Sequence, residues 1–512
     1  MSGLSLSIAS GALLALSYPK FGHPAFGWVA LTPLIIALLS PGAGSARSAF
    51  GRGLLAGAIY FSGTLYWLVE TMTTFGGLGL PVAVFAAALL VAYLSLFPAA
   101  FAVSLYRVHR TMGVRAAALS AAPIWIATEL GRQYVWDGFP WALLGYSQVA
   151  VLPIAQLASV TGVYGLSGLL VLASTALALV IVERGRWRWG TAAIVAALVA
   201  AIGLWGSRRM SNDALASAGQ PIRVGVIQGN ILQHEKWNPA LRDAIIGRYV
   251  TLTRQAVERG ATFVLWPEAS LPVYFEEDPV RAAVVRRLAR ESKITMLIGS
   301  DQIERIRPEA ALEDPANRNY NAAFLVNPDG STADVYRKMH LVPFGEYVPL
   351  QRILFFVGPI VEAVSSFTPG TDATLLPVAG HKVSTAICYE VIYGNLIREF
   401  VTGGSELLTT ITNDAWYGRS SAAYQHWDQA SMRAIENGRF LARAANTGVS
   451  GFVDPYGRVL ARSPLFEQAV LVQDLRFLQY RTVYSRTGDL IAWLSLAFTL
   501  ALLLASRRAR VQ

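Results

Sequence analysis

The chain has 512 residues, of which 54% are hydrophobic and only 15% charged, with a formal net charge of +10. Soluble domains carry about 25% charged residues, so this composition excludes intrinsic disorder and argues against a purely cytosolic enzyme. The single cysteine excludes an intrachain disulfide framework and any Cys-rich zinc site.

The charges are unevenly spread. Residues 1–209 hold four acidic and twelve basic residues, and the other 60 charged residues lie in the last 303. Apolar runs occur near 4–18, 25–40, 53–69, 78–106, 116–131, 160–182 and 189–207. A last one at 490–505 precedes Arg507, Arg508 and Arg510. A bilayer-spanning helix needs about 20 apolar residues. The reading is seven spans followed by a soluble domain and an eighth span. The run at 116–131 is the weakest, because Pro123 interrupts it and Glu129 sits near its end. The uncharged stretch 149–182 is too long for one span, so its first part is expected as a re-entrant or interfacial piece. Glu70 and Glu129 lie in or near spans, where ionisable groups face protein or water. Pairing with Arg132 or a helix end would account for them.

Loop arginines set the orientation. Arg47 and Arg52, then Arg107, Arg110 and Arg115, then Arg184, Arg186 and Arg188 fall in alternate loops and, with the C-terminal arginines, belong in the cytoplasm. Residues from about 210 to 485 then lie outside it. Arg208 and Arg209 sit on the wrong side in this scheme. The first run lacks a basic n-region and a small-residue cleavage site, so it reads as a span rather than a signal peptide. The basic surplus is thus mostly topological, and no clustered basic face suggests nucleic acid.

From Pro221 short β-rich runs alternate with amphipathic helices. Strands are predicted at 222–228, 262–266, 295–298, 322–327, 383–388 and 407–412. Helices are predicted at 240–259, 279–292, 393–402 and 425–446. Asn327-Pro-Asp-Gly330 and Asp454-Pro-Tyr-Gly457 read as tight turns, since Pro presets φ and Gly accepts positive φ. The pattern predicts a layered α/β domain large enough for its own core. The domain limits are 1–209, 220–480 and a C-terminal helix at 488–506.

Three strand ends carry reactive groups. Glu268 follows the strand at 262–266 in Trp266-Pro-Glu-Ala-Ser270. Lys338 lies in Tyr336-Arg-Lys-Met-His-Leu-Val-Pro-Phe-Gly-Glu346. Cys388 ends Val383-Ser-Thr-Ala-Ile-Cys-Tyr-Glu390. A strand-to-helix turn exposes a nucleophile and aims helix N–H groups at it, which lowers a thiol pKa and offers an oxyanion site. No histidine stands in an obvious partner motif, so Glu268 is the candidate base if burial raises its pKa. Lys338 and the Tyr389 N–H are candidate oxyanion donors. Taken singly, a lone Cys is more often a small buried hydrophobe, and Glu268 and Lys338 would pass for surface charges. His426, Trp427 and Asp428 invite a metal reading, but no second ligand cluster supports it, and no metal is expected.

Together these motifs resemble the carbon–nitrogen hydrolase (nitrilase) superfamily. The resemblance implies an αββα sandwich and a Glu-Lys-Cys triad at Glu268, Lys338 and Cys388. With the N-terminal spans, Gly138-Phe-Pro-Trp141, Gly145-Tyr-Ser-Gln148 and Phe344-Gly-Glu-Tyr-Val-Pro349 narrow it to the apolipoprotein N-acyltransferase family of bacterial inner membranes. Supporting active-site roles carry over to Glu346, Tyr389, Glu390 and Trp237, the last in His234-Glu-Lys-Trp-Asn-Pro239; Tyr389 and Trp237 also fit as packing residues, and Glu390 as a helix-end charge.

The resemblance implies a ping-pong reaction without cofactor. An acyl chain passes from a phospholipid, typically the sn-1 chain of phosphatidylethanolamine, to Cys388 and then to the α-amino group of a lipoprotein's diacylglyceryl-cysteine. A monomer with its catalytic domain on the periplasmic side is expected. The segment 341–367, with Phe344, Leu350, Ile353, Leu354, Phe355 and Phe356, is read as an apolar lid guiding acyl chains, against the alternative of a buried loop. Two other classes compete. One is a membrane-tethered amidase or nitrilase acting on a small C–N bond. The other is a transporter or receptor with a ligand-binding outer domain.

Overall fold

The computed structural model describes residues 2–508 except 41, 308, 313, 315 and 348–366. Most of the expected lid therefore lies outside the described residues, including Leu350, Ile353, Leu354, Phe355 and Phe356.

The first 210 residues are helical: α1 (Gly3–Ala15), α2 (Thr32–Leu39), α3 (Ala46–Leu65), α4 (Trp67–Thr74), α5 (Leu80–Tyr134), α6 (Ala158–Val182) and α7 (Trp187–Ser211). Four helices among the described residues are long and apolar enough to cross a membrane: Leu80–Tyr134, Ala158–Val182, Trp187–Ser217 and the C-terminal Leu490–Arg507. The apolar runs at 4–18 and 25–40 form shorter helices. Helix α5 breaks at Gly113 (φ 85°), between the runs at 78–106 and 116–131. A side chain at that φ clashes with its own backbone, so glycine sets the break there. Pro123 stays inside the helix. Residues 149–182 are not one rod. A 3-10 turn (Leu144–Gln148) and a helical turn (Leu152–Ala155) precede α6, which itself breaks at Gly162 (φ 65°). Glu129 pairs with Arg132 at 3.4 Å, and both are buried.

The remainder is a two-sheet sandwich. One sheet has the order β12-β1-β2-β3-β4-β5 and the other β11-β10-β9-β8-β7-β6. The strands are β1 (Gln220–Gln228), β2 (Phe263–Leu265), β3 (Thr295–Glu304), β4 (Arg318–Val326), β5 (Thr332–Arg337), β6 (Leu376–Val378), β7 (His381–Ile387), β8 (Leu407–Thr412), β9 (Leu441–Ala445), β10 (Gly451–Val453), β11 (Val459–Arg462) and β12 (Ala469–Phe477). Alternation separates the layers, since successive side chains leave opposite faces of a strand. Phe263 and Leu265 join the core between the sheets. Val264 and Trp266 face α8 (Arg242–Glu258) and α9 (Pro279–Ser292). The second sheet is covered by α10 (Gly394–Thr402) and α11 (Ala422–Asn437). This is the αββα layering that the family resemblance implied.

The ends of α9 follow local chemistry. The Asp278 side chain accepts from the Arg281 N–H at 3.0 Å, Pro279 opens the helix, and Lys293 closes it in the left-handed region. The two predicted turns join β4 to β5 and β10 to β11, with Gly330 (φ 81°) and Gly457 (φ 88°) taking the positive φ. One prediction fails. The helix expected over 425–446 ends at Asn437, Gly438 (φ 60°) turns the chain, and 441–445 become β9. Its Ala-rich sequence passes for helix, but the strand lies between β8 and β10 and is buried along its whole length. Tertiary burial here overrides local propensity.

Helix α11 lies between the second sheet and the helical part. The Trp141 indole N–H donates to Gln425 Oε1 at 2.7 Å, and Gln425 Nε2 donates to the carbonyls of Pro19 (3.2 Å) and Thr64 (3.3 Å). Glu436 Oε1 accepts from the Val163 N–H at 2.9 Å, where α6 restarts after Gly162. A carboxylate suits the unpaired N–H groups of a helix start.

Candidate active site

Glu268, Lys338 and Cys388 follow β2, β5 and β7, and the fold brings all three together. The Lys338 ammonium is 1% exposed. It lies 3.5 Å from Glu268 Oε1 and 2.9 Å from Glu346. Asn321, on β4, bridges the two carboxylates, donating from Nδ2 to Glu268 Oε1 (2.7 Å) and Glu346 Oε1 (2.9 Å). Glu268 Oε2 accepts from the Asn413 N–H at 2.8 Å, just after β8, and Glu346 Oε2 accepts from the Val342 N–H at 2.8 Å. Burial alone disfavours the Lys338 cation, but the charges of Glu346 and Glu268 outweigh it and hold the pKa above the ordinary lysine value.

Cys388 is 7% exposed and opens a 3-10 turn (Cys388–Ile392). Its φ of 53° puts a non-glycine residue in the left-handed region, a conformation that costs energy and persists only where the surroundings enforce it. Burial pushes the thiol pKa up, the Glu268 charge adds to this, and Lys338 opposes it. The resting sulfur is therefore a protonated thiol, and a nucleophile forms only as a base removes the proton. This is the reverse of the lowered pKa expected from a helix start: burial dominates here. Alkylation of Cys388 by iodoacetamide should accordingly keep rising with pH up to about pH 10, past the ordinary thiol range near 8.5. A plateau near pH 8 would contradict this.

Glu390 joins the loop carrying Lys338 to the turn carrying Cys388. Its Oε1 accepts from Tyr336 Oη (2.7 Å) and the N–H groups of Met339 (2.7 Å) and His340 (3.1 Å). Its Oε2 accepts from the Ile387 N–H at 2.7 Å. Burial pushes its pKa up to about 7 in spite of these donors. An amide at this position must turn an NH2 toward one of them. Glu390→Gln should therefore cost about 1–3 kcal/mol of stability, read as a lowered melting temperature, and should lower activity as the two loops separate.

Tyr389 is buried against His340 (5.9 Å between centroids), Tyr393 (5.4 Å) and Phe139 (6.4 Å), the last from the helical part. Trp237 stays 45% exposed, at the end of a short helical turn (Gln233–Lys236). That turn reaches the site through other side chains. Gln233 Oε1 accepts from Asn413 Nδ2 at 2.8 Å, and Lys236 Nζ donates to the Glu268 carbonyl at 3.1 Å.

Lys236, Asn321 and Asn413 are absent from the sequence prediction. Lys236 adjoins Trp237 in a motif already singled out, and that adjacency was the available signal. Burial pulls its pKa down to about 8, against the opposing charge of Glu268. Between about pH 8 and the unfolded value near 10.4, the unfolded chain holds the extra proton, so stability should rise with pH in that window by at most about 1.4 kcal/mol per unit. Lys236→Met should remove that part of the slope in thermal unfolding of the full chain. His426 faces the Cys388 carbonyl and Arg443, so protein groups occupy both ring nitrogens.

A carbon-nitrogen hydrolase family model matches residues 223–483, and an apolipoprotein N-acyltransferase N-terminal domain model matches residues 10–176. The chain is 38% identical over 500 residues to an apolipoprotein N-acyltransferase of Geobacter metallireducens, covering 96% of this chain and 93% of that relative. The chain belongs to the apolipoprotein N-acyltransferase family. The Methylococcus capsulatus member of that name is 35% identical over 507 residues, covering 96% of this chain and 93% of its own. Among solved structures, an amidase of the nitrilase superfamily from Nesterenkonia AN1 aligns at 21% identity with a TM-score of 0.40, covering 54% of this chain and 98% of the amidase. In this N-acyltransferase-family chain the two matched regions meet at the site. Tyr393 Oη donates to the Gly138 carbonyl at 3.3 Å, and Tyr347 Oη donates to Asp137.

Proposed function

We propose that this chain transfers a fatty acyl group from a phospholipid, through a Cys388 thioester, to the α-amino group of the N-terminal diacylglyceryl-cysteine of apolipoproteins. The observation that carries the reading is the convergence of Glu268 and of Lys338, itself held by Glu346, on the turn with the only cysteine.

In the first half-reaction Cys388 Sγ attacks the ester carbonyl carbon while Glu268 takes the thiol proton. Lys338 and the Tyr389 N–H stabilise the oxyanion. The C–O bond then breaks, the lysophospholipid oxygen takes the proton from Glu268, and the thioester remains. In the second half the acceptor amine attacks the thioester, Glu268 accepts a proton from it, and the C–S bond breaks. The proton returns to sulfur, leaving an amide and a free thiol. Two easier steps replace one direct aminolysis.

Glu346 sets the position and charge of Lys338, and Glu390 sets the spacing between Lys338 and Cys388. Tyr389 packs beside the nucleophile, and Trp237 stands exposed next to Lys236, whose ammonium reaches the Glu268 carbonyl. The domain limits are 1–209, 220–480 and 488–506, with about eight spans. The alternating loop arginines support a bacterial inner-membrane location with the α/β domain on the periplasmic side, where both lipid-anchored substrates are within reach. Phosphatidylethanolamine is the proposed donor, and the chain acts as a monomer.

Incubation with acyl-labelled phosphatidylethanolamine tests the reading. A hydroxylamine-sensitive label on the protein, chased onto a diacylglyceryl-cysteine peptide, is the expected result. Ammonia released from small amides without acyl labelling would favour a membrane-tethered amidase. Ligand binding with neither reaction would favour a receptor or transporter.

A further inference from the structure

The left-handed backbone at Cys388 needs something to hold it, and the residues behind it come from both parts of the molecule. His426, on α11, is fully buried, and its Nε2 lies 3.1 Å from the Cys388 carbonyl oxygen. A carbonyl only accepts, so Nε2 carries the proton. On the other side of the ring, Nδ1 lies 2.9 Å from Arg443 NH2 and 3.0 Å from Asp414 Oδ1. Arg443 also pairs with Asp414 at 2.9 Å, and Thr412 donates to Asp414 Oδ1 at 2.8 Å. Burial and then Arg443 disfavour the His426 cation, against the opposing charge of Asp414; a neutral ring whose proton on Nε2 goes to Cys388 accepts at Nδ1 from Arg443. The hydrogen-bond partners thus set the tautomer.

The ring of His426 is braced from the helical part. Trp141 stands 5.7 Å away, centroid to centroid, and Tyr417 closes another side at 5.9 Å. Trp141 is 1% exposed and is anchored by its hydrogen bond to Gln425, next to His426 in the chain. Two residues earlier, Phe139 stacks on Trp141 (6.0 Å) and reaches the ring of Tyr389, the residue after Cys388. The loop 138–141, outside the hydrolase-like sandwich, therefore reaches the turn at Cys388 by two routes, through Trp141 and His426 to the Cys388 carbonyl and through Phe139 to the Tyr389 ring.

We infer that His426 and Trp141 are positioning residues through which the helical part holds the Cys388 backbone in its reactive, left-handed conformation. The inference rests on the reading of Cys388 as the acyl carrier. A nucleophile misplaced by about 1 Å can lose roughly 10²-fold in rate, so loss of this brace acts on the acylation step and leaves phospholipid binding intact.

The test uses the full-length protein in phosphatidylethanolamine vesicles, reading thioester formation from labelled lipid and, separately, iodoacetamide alkylation of the sole cysteine. His426→Ala and Trp141→Ala should each lower the acylation rate by about 10- to 10²-fold with KM for the lipid unchanged, and should alter the alkylation rate. His426→Gln, whose amide N–H can still reach the Cys388 carbonyl, should recover most of the rate. Trp141→Phe, which keeps a ring against His426, should recover part of it. Acylation within twofold of the parent in both alanine variants would overturn the inference. So would equal losses in the alanine and conservative variants that follow their melting temperatures, since that marks a folding role only. Cys388→Ala run in parallel separates the two readings. If it still takes up label, the nucleophile assignment fails; if it does not, while His426→Ala labels normally, only the brace fails.

Discussion

Cys388→Ala is expected to eliminate the hydroxylamine-sensitive acyl adduct and to lower turnover by at least about 10⁴-fold, the scale on which loss of a covalent nucleophile acts. No other thiol is present to substitute. The fold should tolerate the change. Alanine is no worse than cysteine at a φ of 53°, and the side chain loses a single buried sulfur, so stability should move by about 1 kcal/mol or less. The variant therefore separates chemistry from folding. It is measured by labelling with acyl-radiolabelled phosphatidylethanolamine and by peptide acylation. Unchanged labelling would remove Cys388 from the mechanism.

Lys338→Met should be costly in two separable ways. The ammonium is 1% exposed and lies between Glu268 (3.5 Å) and Glu346 (2.9 Å). Its removal leaves two buried carboxylates facing each other without a cation. Breaking a buried pair on one side costs about 3–5 kcal/mol, because a buried charge is left uncompensated. The proposed oxyanion donor is lost as well, which lowers kcat by about 10²–10³-fold. Lys338→Met combined with Glu346→Gln removes one of the stranded charges. The double variant should recover much of the melting temperature and none of the turnover. Recovery of both would make Lys338 structural only, and loss of neither in the single variant would dissolve the proposed cluster.

The sandwich was legible because its strands and helices obey different periods. Residues 263–266 alternate between the two cores, and 279–292 carry a capping Asp, an initial Pro and an apolar stripe. Gly330 and Gly457 punctuated the hairpins as predicted. The β9 segment was misread because it is alanine-rich, and its strand state comes from flanking strands. Within the site, Glu268, Lys338 and Cys388 were visible because each ends a strand in a distinctive motif. Asn321, Asn413 and Lys236 were not, because their roles depend on hydrogen bonds to residues 25 to 145 positions away in the chain. His426 drew notice only in a trio that invites a metal reading and was set aside, because its contact with Cys388 spans 38 residues.

Local chemistry thus determined much by itself: the division into apolar and α/β parts, the turns, and the three motif residues. These follow from hydropathy, backbone preference and residue type, which act over a few positions. Tertiary structure decided how the groups act on one another. It buried a thiol and raised its pKa, set a lysine between two carboxylates, and brought the loop at 138–141 against the turn that carries Cys388. Those outcomes depend on desolvation and on charge separations of a few ångströms, which chain order does not encode.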